Sequence, residues 1–352
     1  MSRITSNAAA LPGSVQTAYR DLLDQAQAAA FEEAFPEEGR FTKKMVKGKP
    51  YWYQRARDGH EKYVGPETPE LLTRIETHRR LKQDERQRRT LVAMLKRAGL
   101  PSPPAQVGEL IQTMARAGVF RLRACLVGTY AFACYGGLLG VRLKGSSVVT
   151  QDLDLAQSPA ISIEIAADEH LKEFGEVLRK ADPTYKPVSK ALSESRAIAY
   201  INEDKFRVDV LAANRGPERD EPIRLPALGT HGQAMRFLDF LIFDTIPAVV
   251  LHGAGVPVNV PSPERFAIHK LIVAHRRGKD RDKVPKDLAQ AGQLIDALWR
   301  YQKKDLLRVL LEAVDRGSKW QKAILDSLEL IKGNLDQLAY ETMMTTAMRR
   351  AD

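Results

Sequence analysis

The chain has 352 residues, an apolar fraction of 44% and a formal net charge of +10, which predicts two or three domains with a sizeable core. No apolar run is long enough to span a membrane, and the first residues lack the pattern of a secretory signal. Two cysteines, Cys125 and Cys134, exclude a disulfide framework and a zinc cluster. We therefore expect two buried thiols in a cytoplasmic protein without membrane contact.

The first hundred residues combine helices with basic and aromatic strands. Apolar residues at helical spacing predict a helix over residues 14–34, and a polar helix is predicted over residues 66–100. Between them, two aromatic runs flank Arg57-Asp58-Gly59, and Asp-Gly between such runs is typical of a hairpin turn. A proline cluster over residues 101–104 then marks a boundary, so residues 1–100 form the first predicted domain.

The second predicted domain, residues 101–261, mixes strands and helices. Helices are predicted over residues 105–117, 130–140 and 169–181. Strands are predicted over residues 121–128, 148–156, 161–166, 197–201, 206–212, 235–243, 248–252 and 256–260. This order predicts an α+β fold with one mixed sheet and segregated helices, not a regular parallel βαβ series. From residue 262 to residue 352 the pattern is helical, which predicts a C-terminal helical domain.

Three aspartates on two predicted strands are the candidate catalytic residues. Side chains alternate along a strand, so Asp152 and Asp154 point the same way. Two such carboxylates repel each other unless a cation lies between them, and magnesium prefers oxygen ligands of this kind. Asp209 is the third candidate, because a charge beside the apolar core requires a metal or a cationic partner. Arg207 lies on the same face, so a local ion pair remains the alternative for Asp209.

The pair Gly128-Thr129 ends the strand that precedes the first aspartate. A glycine at a strand end, followed by threonine at a helix start, directs backbone N–H groups and a hydroxyl toward one place. That arrangement predicts a phosphate-binding corner beside the acidic pair. Thr129 as an ordinary helix N-cap is the alternative.

These residues resemble the signature of the polymerase-β-like nucleotidyltransferase superfamily, which has a Gly-Ser or Gly-Thr turn, a helix, Asp-x-Asp and a later third Asp. Within it, Val127-Gly128-Thr129 and Gly140-Val141-Arg142 look like a bacterial nucleotidyltransferase family, as does the stretch VNVPSPERFAIHKLIVAHRR. The resemblance covers about residues 120–290. Thr129 stands where serine is commoner, and the gap to Asp152 is longer than in typical superfamily members.

The resemblance implies a chemistry and a set of roles. It implies transfer of a nucleoside monophosphate (NMP) from an NTP to an acceptor hydroxyl, with release of pyrophosphate. Asp152, Asp154 and Asp209 would bind two Mg²⁺ ions, with Mn²⁺ as an alternative, and Asp209 would hold the ion that activates the acceptor. The residues that would contact the nucleotide are Gly128, Thr129, Arg142, Lys144 and Lys270. A lysine such as Lys270 on an amphipathic helix is otherwise a solvated-face residue.

The N-terminal region is the candidate nucleic-acid surface. Basic residues surround three consecutive aromatics, and aromatics stack on unpaired bases while basic groups neutralise phosphates. The candidate residues are Lys47, Tyr51, Trp52, Arg55, Arg79, Arg80, Arg88 and Arg89. A hairpin packed on the long helix, with solvated arginines, explains the same residues without a ligand.

Three functions therefore stay open. The first is an enzyme that adds nucleotides to a nucleic acid, with RNA as the expected acceptor. The second modifies a protein or a small molecule, in a toxin or defence role. The third is a non-catalytic nucleic-acid-binding protein, against which the three intact aspartates argue. The sequence identifies neither the NTP nor the oligomeric state.

Overall fold

The computed structural model describes residues 8–31, 40–46, 49–55, 61–144, 150–166, 170–189, 196–214, 220–277 and 281–349. Its strands are β1 (Ala9–Ala10), β2 (Arg40–Val46), β3 (Lys49–Arg55), β4 (Glu61–Pro66), β5 (Cys125–Val127), β6 (Val141–Arg142), β7 (Asp152–Gln157), β8 (Lys186–Ser189), β9 (Ala197–Ile201), β10 (Arg207–Ala213), β11 (Ile223–Leu225), β12 (Thr230–Met235), β13 (Thr245–Val250) and β14 (Val256–Pro261). Its helices are α1 (Gly13–Phe31), α2 (Pro69–Arg97), α3 (Ala105–Arg116), α4 (Gly128–Leu139), α5 (Pro159–Ala166), α6 (Phe174–Ala181), α7 (Leu238–Leu241), α8 (Pro263–Arg276), α9 (Val284–Tyr301), α10 (Lys303–Asp315), α11 (Ser318–Ile331) and α12 (Gln337–Met348).

The N-terminal region consists of α1, α2 and a three-stranded antiparallel sheet in the order β2-β3-β4. The pairing of β3 with β4 confirms the predicted hairpin, whose turn lies outside the described residues. The Thr68 side chain caps α2 by accepting a hydrogen bond from Leu71 N, and Gly99 follows the helix at φ +86°. Both predicted helices are confirmed over the part of the chain that the structure describes.

The central sheet has the order β11-β12-β10-β7-β5, with β9 on β10 and β8 on β9. The strand β10 runs parallel to β7 and β12 and antiparallel to β9, while β5 is antiparallel to β7. This arrangement confirms the predicted mixed sheet and the α+β class. It also places the start of β7 beside the start of β10, where the candidate aspartates lie.

Two predicted strands are wrong because their apolar pattern fits a helix equally well. Residues 161–166 lie in α5, where Ser162 N donates to Ser158 O and Ile163 is 65% exposed. Within residues 235–243, β12 ends at Met235 and α7 follows. Phe237, at φ +68°, ends the extended conformation between them.

Several other boundaries and pairings also differ. The strand β5 covers only the end of the predicted segment 121–128, because Arg123 adopts φ +66° before it. The helix α6 begins at Phe174, and residues 170–173 before it are not helical. The pair β13–β14 was expected to extend the central sheet. In the described structure it is a separate antiparallel pair, held near β5 by Asn259 Nδ2, which donates to the carbonyls of residues 120 and 124.

The C-terminal helices pack against the sheet rather than apart from it. One core of buried residues runs from α3, α4 and the sheet into α8, α9, α10, α11 and α12. A smaller cluster joins α1 and α2 to β13 through Leu22, Leu95 and Val249. The boundaries at residues 100 and 261 stay predictions. No helix in the described ranges is long and apolar enough to cross a membrane.

Candidate active site

Three aspartates project from one face of the central sheet, at the start of β7 and of β10. Asp154 lies directly opposite Asp209 in the parallel pairing, and Asp152 lies opposite Arg207. Paired residues of adjacent strands point to the same side of a sheet. The intervening apolar residues, such as Leu153, are fully buried on the other face. The structure therefore confirms the expected alternation and brings the three carboxylates together.

Burial and the two neighbouring carboxylates act on Asp154. Burial, followed by the charges of Asp152 and Asp209, raises the pKa of Asp154 to about 7. The charges of Lys270 and Lys283 act in the opposite direction. Because neighbouring negative charges disfavour ionisation, a bound cation would relieve this repulsion.

Two of the three carboxylates already have partners within the chain. Arg207 Nε donates to Asp209 Oδ1 at 2.6 Å, and the Thr150 hydroxyl donates to Asp152 Oδ1. The alternative of a local ion pair at Asp209 is therefore present in the structure. Within the described part of the chain, no three His, Cys, Asp or Glu side chains are arranged to hold a metal ion in this conformation.

Gly128 and Thr129 begin α4 beside the carboxylates. Val127 pairs with Asp154 across β5 and β7, and Gly128 follows at φ +64°. A Cβ at Gly128 would overlap with Asp154 Oδ2, so only glycine allows this close approach. The cap position of α4 is Val127, which makes no side-chain cap bond, so the N-cap alternative for Thr129 is wrong. Instead, Thr129 Oγ1 accepts a hydrogen bond from Lys286 Nζ at 3.0 Å.

A group of cationic side chains on α8 and α9 faces this corner. Lys286 contacts Thr129, and the charge of Lys283 acts on Asp154. Neither lysine was predicted as a site residue, although the basic run HRRGKDRDKVPK over residues 275–286 was a signal that could have identified both. The predicted Lys270 is also near, since its charge lowers the pKa of Asp154.

Lys270 is held by an internal ion pair. Its Nζ donates to Asp287 Oδ1 at 2.6 Å, and Arg277 Nε donates to Asp287 Oδ2 at 2.7 Å. Asp287 is 2% exposed, so this carboxylate is buried and fully compensated. The arrangement fixes α8 against α9 and presents positive charge toward the carboxylates of β7.

Tyr130 is a third residue that the sequence did not indicate. It follows Thr129 in α4, is 2% exposed, and its hydroxyl has no hydrogen-bond partner in the described structure. Burial, with the charge of Asp152, raises its pKa. An unpaired buried hydroxyl beside a charged carboxylate is a donor available to a bound ligand.

Comparison with known proteins shows the family of the chain. A protein-family model described as nucleotidyltransferase matches residues 105–315, which is more than half of the chain. The chain belongs to the nucleotidyltransferase family. Among solved structures, it is similar to an antigenic nucleotidyltransferase-like protein from Paracoccidioides brasiliensis, with 14% identity and a TM-score of 0.30 over 63% of this chain and 94% of the other. No curated protein matches the chain.

Arg142 and Lys144, two of the predicted nucleotide-binding residues of this nucleotidyltransferase, contact neighbouring helices. Arg142 Nη2 donates to Ala98 O at 2.9 Å, and its guanidinium lies against Gly99 at the end of α2. Lys144 is anchored through its backbone, whose N–H and C=O both bond to the Gln293 side chain on α9. These contacts attach both residues to neighbouring helices.

The predicted nucleic-acid surface is only partly available for base stacking. Trp52 is 7% exposed and its indole Nε1 donates to Glu67 Oε2 at 3.0 Å. Tyr51 is half-buried. On α2, Arg88 is half-buried, and Arg89 is paired with Glu85 at 2.7 Å.

The remaining residues of this surface cannot be placed in the same way. Lys47 lies outside the described residues, and so do the side chains of Arg55, Arg79 and Arg80. Trp52 is buried in the hairpin and bonded to Glu67. The assignment of the other seven residues to nucleic-acid binding stays a prediction.

Proposed function

We propose that the chain is a polymerase-β-like nucleotidyltransferase that moves an NMP from an NTP onto an acceptor hydroxyl and releases pyrophosphate. The observation that carries the proposal is the register of β7 and β10, which sets Asp154 opposite Asp209 with Asp152 on the same face. The approach of Gly128 to Asp154 adds a backbone turn at the same place. Together these features supply carboxylates for cations and a corner for phosphates.

The donor set of the three aspartates fits Mg²⁺. All three groups are carboxylates, which are the ligands that hard divalent cations prefer. Burial, followed by the charges of Asp152 and Asp209, raises the pKa of Asp154, so this carboxylate would gain from a bound cation. Asp152, Asp154 and Asp209 would hold the ions, two Mg²⁺ or alternatively Mn²⁺. When bound, the metal would lower the pKa of the acceptor hydroxyl and neutralise the triphosphate.

The transfer itself forms one bond and breaks one. The acceptor hydroxyl loses its proton to solvent and its oxygen bonds to the α-phosphorus. The bond from that phosphorus to the α,β-bridging oxygen breaks, and pyrophosphate leaves with the electron pair. Thr129 and the N–H groups at the start of α4 would hold the β- and γ-phosphates. Lys286, which contacts the Thr129 hydroxyl, and Lys283 would neutralise them.

RNA is the acceptor that we propose. The net charge of +10 favours a polyanionic partner. Lys44 lies 5.0 Å above the Tyr53 ring, so cationic and aromatic groups of the N-terminal sheet are adjacent. With Trp52 buried, stacking on unpaired bases would depend on the half-buried Tyr51 and Tyr53. Modification of a protein or a small molecule is the alternative outcome of the test below.

We propose a cytoplasmic location because both cysteines are free thiols. Cys125 and Cys134 are both free and buried, and burial raises the pKa of each thiol to about 12. Such thiols are unreactive and need no oxidising compartment.

The decisive experiment measures transfer of label. The protein is incubated with each α-labelled NTP and Mg²⁺ in the presence of total cell RNA and protein, and the labelled product is identified. We expect label in RNA, and a loss of at least about 10²-fold in rate for Asp152→Asn, Asp154→Asn and Asp209→Asn. Asp204→Asn, in the exposed turn between β9 and β10, is the matched control that should retain the activity.

The outcomes separate the candidate functions. Label in protein or in a small molecule would replace the RNA acceptor while keeping the chemistry. Label that persists in all three aspartate variants would reject the site. RNA binding that weakens with salt, and whose salt slope falls when Arg88 and Arg89 become alanine, would support the N-terminal surface.

A further inference from the structure

Arg207 and Asp209 form the one feature of the site that a metal-binding role for the aspartates does not explain. The two residues lie two positions apart on β10 and therefore project from the same face. Arg207 Nε donates to Asp209 Oδ1 at 2.6 Å. In the register with β7, Arg207 also lies opposite Asp152. The guanidinium thus contacts one of the three carboxylates that would hold the ions.

The surroundings of the pair allow the arginine to leave. The Arg207 side chain is 40% exposed, whereas the Asp209 side chain is 18% exposed. The backbone N–H of Arg207 donates to Gln151 O at 2.8 Å, so the strand stays in register whatever the side chain does. A half-exposed arginine can rotate into water without uncovering the core, since Val208 and Val210 fill it from the opposite face.

We propose that Arg207 is an internal cation that occupies Asp209 in the metal-free protein and is displaced when a divalent ion binds the three aspartates. The proposal rests on the proposed function, because it assumes that Asp209 is a metal ligand. Its physical basis is competition: Arg207 Nε, 2.6 Å from Asp209 Oδ1, places a positive charge where a cation bound on the same side of this carboxylate would lie. Arg207 is then a residue that sets metal affinity and keeps the acidic face stable before the metal arrives.

Competition has a defined thermodynamic consequence. Removing Arg207 destabilises only the metal-free state, so the metal-bound state becomes relatively more favourable. An exposed ion pair contributes modestly to stability, and in the wild type this contribution must be given up when Mn²⁺ binds. We therefore expect the dissociation constant for Mn²⁺ to be about two- to fivefold lower in Arg207→Gln than in the wild type. If Arg207 instead stays bound to Asp209 in both states, its removal should raise the dissociation constant for Mn²⁺, because Asp209 would then be a disordered metal ligand.

The test uses Mn²⁺ alone, without NTP or acceptor. Binding to the full-length protein is followed from the electron paramagnetic resonance signal of free Mn²⁺. The Tm is measured with and without the ion. We expect Arg207→Gln to bind Mn²⁺ more tightly and to have a lower Tm only in the absence of Mn²⁺. Arg207→Lys keeps the charge and should lie between wild type and Arg207→Gln.

Two controls isolate the effect. Arg179→Gln removes an arginine of similar exposure, which is paired with Glu173 on the start of α6, and should leave Mn²⁺ affinity unchanged. In an Asp209→Asn background the Arg207 substitution should no longer alter Mn²⁺ affinity. Circular dichroism verifies that each variant is folded.

The outcomes distinguish this inference from the proposed function. Absence of Mn²⁺ binding in the wild type would reject the metal site itself. Wild-type binding with an unchanged or weaker affinity in Arg207→Gln, and an equal fall in Tm with and without Mn²⁺, would overturn the displacement of Arg207 alone. In that case Arg207 would be a permanent structural partner of Asp209.

Discussion

The backbone of Gly128 lies against the carboxylate of Asp154, so closely that a Cβ at position 128 would overlap with Oδ2. The contact is possible because Val127 pairs with Asp154 and the chain then turns into α4 at φ +64°. We expect Gly128→Ala to destabilise the protein by about 2 kcal/mol, through strained backbone and displaced carboxylate, and to lower the transfer rate at least about tenfold. Chemical denaturation and the label assay measure the two effects.

Gly317→Ala is the matched control for Gly128→Ala. Gly317 also has a positive φ, +122°, but nothing lies within 4 Å of a Cβ built there. Backbone strain alone should therefore destabilise the Gly317 variant without changing the rate of transfer. Equal rates for wild type and Gly128→Ala would show that the position of Asp154 does not depend on Gly128.

The contact between Lys286 and Thr129 predicts a role in nucleotide binding. Removing the ammonium with Lys286→Ala, or the hydroxyl with Thr129→Ala, should raise the KM for NTP about tenfold, the value of one hydrogen bond to a charged group. Thr129→Ser keeps the hydroxyl and should restore affinity. Steady-state kinetics with varied NTP measures the effect.

The control for Lys286 is Lys304→Ala, which removes an exposed lysine from the start of α10. This variant should match the wild type in KM. If Lys286→Ala lowers the Tm and leaves KM unchanged, then Lys286 is a structural link between α4 and α9 and does not contact phosphate.

His269 predicts how stability depends on pH. Burial, together with the charge of Lys270, lowers the pKa of this imidazole to about 3, well below its unfolded value. Between about pH 6.5 and pH 3 the unfolded chain therefore binds the proton and the folded chain does not, so stability is lost as pH falls through this window. From this effect, we expect the free energy of unfolding of the wild type to fall by about 1–2 kcal/mol between pH 7 and pH 5, and His269→Gln to lack this fall.

Urea unfolding at pH 7 and pH 5 measures this difference. His275→Gln is the control, since His275 is exposed and paired with Asp326 at 2.9 Å. Between pH 7 and pH 5, the His275 variant should lose at least as much unfolding free energy as the wild type. An identical pH dependence for wild type and His269→Gln would show that His269 stays accessible to protons in the folded state.

The sequence predicted the parts of the site that depend on local geometry. The alternation of Asp152, Leu153 and Asp154 follows from the period of a strand, and the position of Asp209 follows from the same rule on β10. The hairpin of β3 and β4 was predictable from its turn residues. Features of this kind need only a few neighbouring residues.

The parts that the sequence missed depend on contacts between distant segments. Lys286 reaches Thr129 across 157 positions, a contact that exists only because α9 packs beside α4. In α5, three isoleucines at alternate positions indicated a strand. The Ser162 hydroxyl instead accepts from Ala227 N in a helix that packs on residues 226–228. Tertiary packing therefore overrode the local pattern.

Arg265 predicts how strongly α8 is joined to α10 and to the segment between α7 and β13. It is 1% exposed, donates to both oxygens of Glu312 on α10 at 3.0 and 2.7 Å, and donates to Asp244 at 2.9 Å. Glu312→Ala removes two hydrogen bonds from a buried guanidinium and leaves it paired with Asp244, so the variant should destabilise the protein by about 3 kcal/mol. Denaturant unfolding measures this loss, and Asp305→Ala, from an exposed pair 3.6 Å from Arg308, should cost less than about 1 kcal/mol. Equal losses for the two variants would mean that the pair of Arg265 and Glu312 adds no more to the stability of the α8–α10 packing than an exposed pair does.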